Sequence, residues 1–408
     1  IFETPGHSPG SISYYFKKGI TWSTLSSKYI SFRYHGSDSI FETKGSVLFL
    51  KDDDLFNIVF GYLNTKLVAF FLNVITPTMD LHEGPVGRLP FIPIKSMRVE
   101  ALVDENVCIS KDDWDSFETS WDFKMHPLLQ YRNGSSLLSE AFSNWEAEAE
   151  RRFRTLKKNE EELNRIFIEL YGLEEELTPE VEEKDVTVRR ADRIRDVKSF
   201  ISYAVGIMFG RYSLDQEGLA YAGGKFDWNQ YQSFLPDKDN IIPITDDTYF
   251  DDDIVSRFIE ILKVTFGEET LEENLDYIAE TLKKRVNETS RQRIRRYFMK
   301  EFYKDHVQMY QKKPIYWMFQ SGKNDGFKAL IYLHRYEKGL VSRVRTDYLH
   351  VLQRKYQEEI ERLELLLESD VSKREKNRAV KTIEKIEKQL KECREYDKVI
   401  AHVANQLI

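Results

Sequence analysis

Apolar residues recur three and four apart between residues 55 and 74, the spacing of one buried helical face. Asp52-Asp53-Asp54 precede them, carboxylates placed to cap a helix start and meet the positive end of its dipole. Pro77 ends this run. Gly84-Pro85 and Gly87 then predict turns, and Leu89-Pro90-Phe91-Ile92-Pro93-Ile94 predicts an edge strand or an extended strap, because each proline removes a ladder donor. Upstream, residues 11–16 and 29–34 cluster β-formers between Gly and Ser, which predicts short strands joined by polar loops. Downstream, residues 137–170 are helical in period, with Trp145, Ala149, Leu156, Leu163, Ile166 and Phe167 on one face, and Tyr171-Gly172-Leu173 reads as the stop. Residues 174–185 form an acidic linker or surface loop, and residues 197–209 a second apolar helix; Gly223-Gly224, Pro236 and Pro243 mark further loops. From 346 onward the pattern is helical again, through Tyr356, Ile360, Leu363 and Leu367 and later Ile400, Val403 and Leu407, with Ser369-Asp370 breaking it into a hairpin.

These elements predict a helix-dominated α+β fold: a mixed α/β domain at 1–130, a helical connector at 131–210, a mainly helical C-terminal domain at 211–345 and a helical hairpin at 346–408. A length of 408 residues exceeds what one core usually supports. No stretch approaches the roughly 20 apolar residues of a membrane span. The opening Ile1-Phe2-Glu3-Thr4 has neither Met nor a signal pattern, which reads as a fragment of a longer protein. Cys108 and Cys393 match no zinc or disulfide spacing, favouring ordinary thiols in a reducing cytoplasm.

Charge changes the picture locally. The net charge of −8 gives no global basic signature, but residues 237–288 hold 15 acidic and 6 basic side chains, net −9, and residues 289–345 hold 14 basic and 4 acidic, net +10. In "SRQRIRRYFMKEFYKDH", Arg291, Arg293, Arg295, Arg296 and Lys300 mix with Tyr297, Phe298, Phe302 and Tyr303, so that a helix could bury the aromatics and turn the cations toward phosphates. Arg335, Arg343 and Arg345 extend the segment. The plainer alternative is that this face neutralises the acidic segment before it. A second surface lies in residues 10–40, where Thr21, Trp22, Ser23, Ser26, Ser27, Lys28, Ser31, Arg33 and Tyr34 supply groups suited to base edges, or to ordinary polar loops.

Catalytic patterns are missing. Gly218 and Gly224-Lys225 frame a phosphate loop one residue too long, with Phe226 where a Ser or Thr belongs. Asp246-Asp247 and Asp251-Asp252-Asp253 could hold a cation, but Asp253 directly precedes Ile254-Val255 and reads as a helix cap. Glu182-Glu183-Lys184 lacks the strand and Asp of a nuclease site. The eight His form no metal pattern, and no GxSxG elbow occurs.

"FGYLNTKLVAFFLN" followed by "GPVGRLPFIPI" resembles the end of target-recognition domains in type I specificity subunits and type IIG restriction-modification enzymes, where a helix with an "LNSK"-like motif leads to a Gly-containing turn and a Leu-Pro strap. "GITWSTLSSKYISFRY", "LKKNEEELNRIFIELYGLEEELTPEV", "ISYAVGIMFGRYSLDQEGLAYAGG" and "KKPIYWMFQSGKNDGFKALIYLHRY" resemble PglX, the adenine-specific DNA methyltransferase of BREX phage-defence systems, in the family's order across most of residues 10–356. The resemblance implies an enzyme dependent on S-adenosylmethionine whose amino-terminal half carries a Gly-rich cofactor loop and an Asn-Pro-Pro-Tyr motif. Neither is in this sequence, so the chain would be a C-terminal part without catalytic or cofactor-binding residues, inactive alone. Its expected partners are double-stranded DNA, the missing methyltransferase domain and other BREX proteins, with no membrane. Base reading then falls to Trp22, Ser23, Lys28, Ser31, Arg33 and Tyr34 within the target-recognition domain, and phosphate positioning to Arg291, Arg293, Arg295, Arg296, Lys300, Arg335, Arg343 and Arg345. A helical scaffold that docks other defence proteins is the competing class.

Overall fold

The Asp52 carboxylate accepts the Asp54 N–H and starts the first helical run where the sequence places it, but that run is two helices. In the computed structural model, which describes residues 2–3, 13–25, 30–41, 45–76 and 80–405, a 3-10 turn at Asp53–Leu55 leads into α1 (Phe56–Leu63), and α2 (Lys66–Ile75) departs from it at 76°. The break falls at Asn64-Thr65. The Thr65 hydroxyl donates to the Tyr62 carbonyl at 2.7 Å and accepts the Val68 N–H at 3.4 Å, capping α2. A continuous helix over 55–74 is thereby corrected: two side chains that compete for backbone hydrogen bonds outweigh the apolar period around them.

The chain divides into two compact units, Ile1–Trp114 with Ala147–Arg190, and Asp115–Glu146 with Ala191–Ile408. The first carries an antiparallel sheet in the order β1-β4-β2-β3, from β1 (Phe2–Glu3), β2 (Gly19–Ser23), β3 (Arg33–His35) and β4 (Gly45–Leu50). Ile20 pairs with Tyr34 on one side and Leu48 on the other. Residues 13–16, expected as strand, instead form a 3-10 helix and turn ending at Phe16 with φ +59°, outside the extended region that a strand requires. Residues 11–12 and 29 lie outside the described residues.

Ile20, Trp22 and Leu48 face a core built with Phe56, Tyr62, Leu67, Val99 and Phe167. The expected turn at Gly84-Pro85 is a short helix, α3 (Glu83–Gly87), whose early proline needs no N–H. Residues 89–94 run as an extended strap: the Pro90 carbonyl accepts the hydroxyls of Tyr62 and, at 2.6 Å, Tyr171, and the Ile92 N–H donates to the Tyr171 hydroxyl at 3.0 Å. Then comes α4 (Met97–Asp115), so close to α1 that a Cβ on Gly61 would sit 2.8 Å from Val103 Cγ2. After α5 (Pro127–Gln130) of the second unit comes α6 (Leu138–Tyr171), whose residues from Ala147 belong to the first unit; it stops at Gly172, φ +62°.

The second unit is built around α7 (Arg193–Met208), buried over most of its length. After β5 (Ile242–Pro243) come α8 (Ile254–Phe266), capped by Asp253 as expected, α9 (Leu271–Thr281), and α10 (Ser290–Tyr297), which passes through a π-helical turn at Phe298–Phe302 into α11 (Tyr303–Met309). The hairpin of β6 (Tyr316–Gln320) and β7 (Lys328–Tyr332) completes a three-stranded sheet, β5-β7-β6. A short α12 (Leu340–Arg343) leads to α13 (His350–Glu368) and α14 (Lys373–Asn405), the expected hairpin with its break at 369–372. The whole is the helix-dominated α+β fold that the periodicities predict. Among the described residues no single helix is long and apolar enough to cross a membrane, and no three His, Cys, Asp or Glu gather as a metal set.

Candidate nucleic-acid interface

Strand β3 is the edge of the first sheet, and it carries two of the expected base-reading residues. Arg33 and Tyr34 are both exposed; an Arg33 Nη donates to the Ser23 hydroxyl on the neighbouring strand at 2.7 Å, and the Tyr34 ring stands edge-on to Phe56 at 5.8 Å. Ser31 is exposed just before the strand. Trp22 is not on this surface: 1% exposed, it lies in the core with its indole N–H donating to the Leu81 carbonyl at 2.9 Å. Its removal from base reading follows from the pleat, since Ile20 and Trp22 share the face that is buried. Lys28 lies outside the described residues.

The edge is fixed by the motif that breaks the helix. Asn64 Oδ1 accepts the Phe32 N–H at 3.0 Å, one residue before β3, while the Asn64 side-chain amide donates to the Phe60 carbonyl at 3.1 Å. On its other side the Lys66 N–H donates to Asn164 Oδ1 at 2.9 Å, and the Asn164 amide donates to the Pro179 carbonyl at 3.0 Å. The Leu-Asn-Thr-Lys sequence is thus a joint that ties β3, α1, α2 and α6 together.

The eight cations expected to meet phosphate all have protein partners. Arg291 forms a two-pronged pair with Glu272 at 2.7 and 2.5 Å, and Arg293, 3% exposed, a two-pronged pair with Glu301 and a bond to the Leu282 carbonyl at 2.6 Å. Arg295 reaches Asp253 at 2.6 and 2.9 Å; Arg296 reaches Glu288 at 2.6 and 2.8 Å and holds that carboxyl down to about 2. Lys300 pairs with Asp325, Arg343 with Glu337, and Arg345 with Asp397, which also takes His350. Arg335 donates to the carbonyls of Phe209 and Asp237 at 3.1 and 2.8 Å beneath the Phe226 ring, and burial lowers its pKa. Three of these arginines, Arg291, Arg295 and Arg296, are neutralised by carboxylates of the acidic segment, the others pair elsewhere, and Arg293 and Arg295 are too enclosed to offer their charge to a ligand.

No model of a known protein family matches the chain. It is 46% identical over 398 residues to the adenine-specific methyltransferase PglX of Lacticaseibacillus casei, and 34% identical over 423 residues to the adenine-specific methyltransferase BrxX of Escherichia coli, alignments that take in 96% and 97% of this chain. The chain belongs to the PglX family. It corresponds to a C-terminal part of such a methyltransferase and spans about a third of the length of these curated relatives, 33% and 35%.

For this PglX-family chain, two groups of residues escape reading by sequence. Asn64 stands inside a noticed motif, but its service to Phe32, 32 positions away, has no local signal. Lys304 and Lys323, exposed and without an ion pair among the described residues, line a common cleft with Lys300 and Lys328; only the folded β6–β7 hairpin brings them near α11.

Proposed function

We propose that this chain is the DNA target-recognition part of an adenine-N6 DNA methyltransferase of bacterial phage defence, the BREX class, acting in the cytoplasm on duplex DNA. The observation that carries the reading is the fixed edge strand β3, which offers Arg33 and Tyr34 to solvent beside the exposed Ser23 of β2, on a sheet tied to the Leu-Asn-Thr-Lys joint. An arginine so held can give two parallel hydrogen bonds to guanine O6 and N7, the commonest base-specific contact, with Ser23 and Ser31 able to serve either base type. The names of the relatives support a methyltransferase as the parent enzyme.

S-adenosylmethionine does not fit this chain's own residues. Every strand pairing among the described residues is antiparallel, so there is no crevice at the carboxyl ends of parallel strands, and no Asn-Pro-Pro occurs in the sequence. The cofactor and the flipped adenine belong in this reading to a methyltransferase domain outside the chain. Of the eight cations, Arg291, Lys300 and Arg343 remain available as phosphate contacts, because surface pairs are worth only about 0–1 kcal/mol and exchange for a phosphate at small cost.

Selection of duplexes from a randomised pool by the purified chain tests the proposal. Enrichment of a short motif, with one base position relaxed in an Arg33→Ala variant, is expected. Binding without enrichment would sink it. The runner-up, a scaffold for other defence proteins, draws on Leu365, Val380 and Val399, which the terminal hairpin leaves exposed; salt-insensitive capture of a protein partner without DNA affinity would favour it.

A further inference from the structure

Within the second unit the π-helical turn Phe298–Phe302, the start of α11 and the β6–β7 hairpin enclose an open cleft of about 340 Å³. Four ammonium groups line it, from Lys300, Lys304, Lys323 and Lys328, against a single carboxylate, Asp325. Asp325 is already shared: it pairs with Lys300 and, at 2.7 Å, with Lys328. Lys328 is 3% exposed and also donates to the Met299 carbonyl at 2.6 Å, so it serves as a fixed positive charge in the floor. Lys304 and Lys323 are exposed and make no ion pair among the described residues. In a chain of net charge −8, whose neighbouring arginines are committed to carboxylates and carbonyls, this excess is local and uncompensated.

The frame of the cleft is rigid. Glu392 of α14 accepts the N–H groups of Asn324 and Gly326 at 2.8 and 3.0 Å, the Asn324 amide at 2.8 Å and the Ser321 hydroxyl at 2.7 Å, fastening the hairpin turn that carries Lys323. Gly326 lets the turn lie against α14, since a Cβ there would be 2.7 Å from the Gln389 carbonyl oxygen. The opposite wall is a π-helical turn, a rare geometry that recurs frequently at functional sites. Compact ammonium charges preset around a concave, solvent-open space suit a phosphate, whose oxygens accept from several donors at once.

We propose that this cleft holds a backbone phosphate of duplex DNA, gripped by Lys304 and Lys323, with Lys300 released to it from Asp325. The proposal rests on the reading of the chain as a DNA-recognition part. It adds a lysine cleft to the phosphate contacts left to Arg291 and Arg343.

The test is the affinity of this chain for labelled duplexes across about 50–200 mM salt, wild type against Lys304→Gln/Lys323→Gln. Both side chains are exposed, so an unchanged thermal midpoint is expected and shows that the variant folds. The expected result is at least fivefold weaker binding to selected and random duplexes alike, with the slope of log affinity against log salt smaller by about 1–2. Wild-type binding with an equal slope in the variant overturns the cleft and leaves the recognition reading standing. Absence of wild-type binding overturns both. Displacement of DNA from the wild type, but not the variant, by micromolar pyrophosphate would assign the cleft to a free phosphate compound and overturn the backbone assignment.

Discussion

Arg295 and Asp253 form a buried ion pair in which Nη1 and Nη2 lie 2.6 and 2.9 Å from the two carboxylate oxygens, with the Asp253 side chain fully enclosed. The same carboxylate accepts the N–H groups of Val255 and Ser256, each at 3.1 Å, so one residue caps α8 and anchors α10. Arg295 also donates to the Thr245 carbonyl at 2.8 Å. Arg295→Ala leaves a buried carboxylate unpaired, a change that costs about 3–5 kcal/mol. A lower thermal midpoint by roughly 6–20 °C is expected, given about 2–4 °C per kcal/mol in a unit of this size. An unchanged midpoint would mean that water reaches Asp253. Charge reversal at Arg295 therefore disturbs folding and cannot isolate a role in DNA binding.

Tyr62 and Tyr171 share one acceptor, the Pro90 carbonyl, and their rings stack at 5.9 Å. While either hydroxyl remains, that carbonyl is satisfied. Each single Tyr→Phe change should therefore cost no more than about 1 kcal/mol, and the double variant should exceed the sum by roughly a further 1 kcal/mol, because only then is the oxygen orphaned. A double-mutant cycle in urea measures this. Strict additivity would show that the strap does not depend on the shared oxygen.

Asn64→Ala removes the acceptor of the Phe32 N–H next to the proposed reading edge. A stability loss of roughly 1–2 kcal/mol is expected, together with a weaker motif in duplex selection, since the edge then lacks a fixed register. Undiminished enrichment in a destabilised Asn64→Ala chain would separate the joint from recognition.

Helical period made α6 and the terminal hairpin legible, because long amphipathic runs need no partner to reveal their buried face, and Asp253 stood recognisably before α8. Trp22 was legible too: alternation with Ile20 against Thr21 and Ser23 marked it as core, a sign masked by its chemistry as a base-reading candidate. The paired arginines were not. Charge separation between residues 237–288 and 289–345 is visible in one dimension, but whether the charges meet each other or a ligand depends on distances that only folding sets. Arg345 finds Asp397, and Glu392 holds the turn at Asn324 and Gly326 that carries Lys323, across separations without any periodic trace. The kink at Asn64-Thr65 was hidden by the apolar residues on both sides.

Asp237 carries the last prediction. It is 8% exposed, its Oδ1 accepts the Ile241 N–H at 3.1 Å, and burial, followed by the charge of Asp239, pushes its carboxyl up to about 7. The unfolded value is about 3.9. The folded state therefore binds the proton more tightly than the unfolded state. The stability this contributes is fully present below about pH 4 and is lost as pH rises through about 7. Asp237→Asn keeps the oxygen that Ile241 uses and cannot ionise, so it should unfold at higher urea than wild type near pH 8, by on the order of 1–3 kcal/mol. Near pH 4, where both side chains are neutral, the advantage should vanish. A difference that stays constant between the two pH values would show that Asp237 ionises in the folded chain as readily as in water, and that its neighbours do not share its charge.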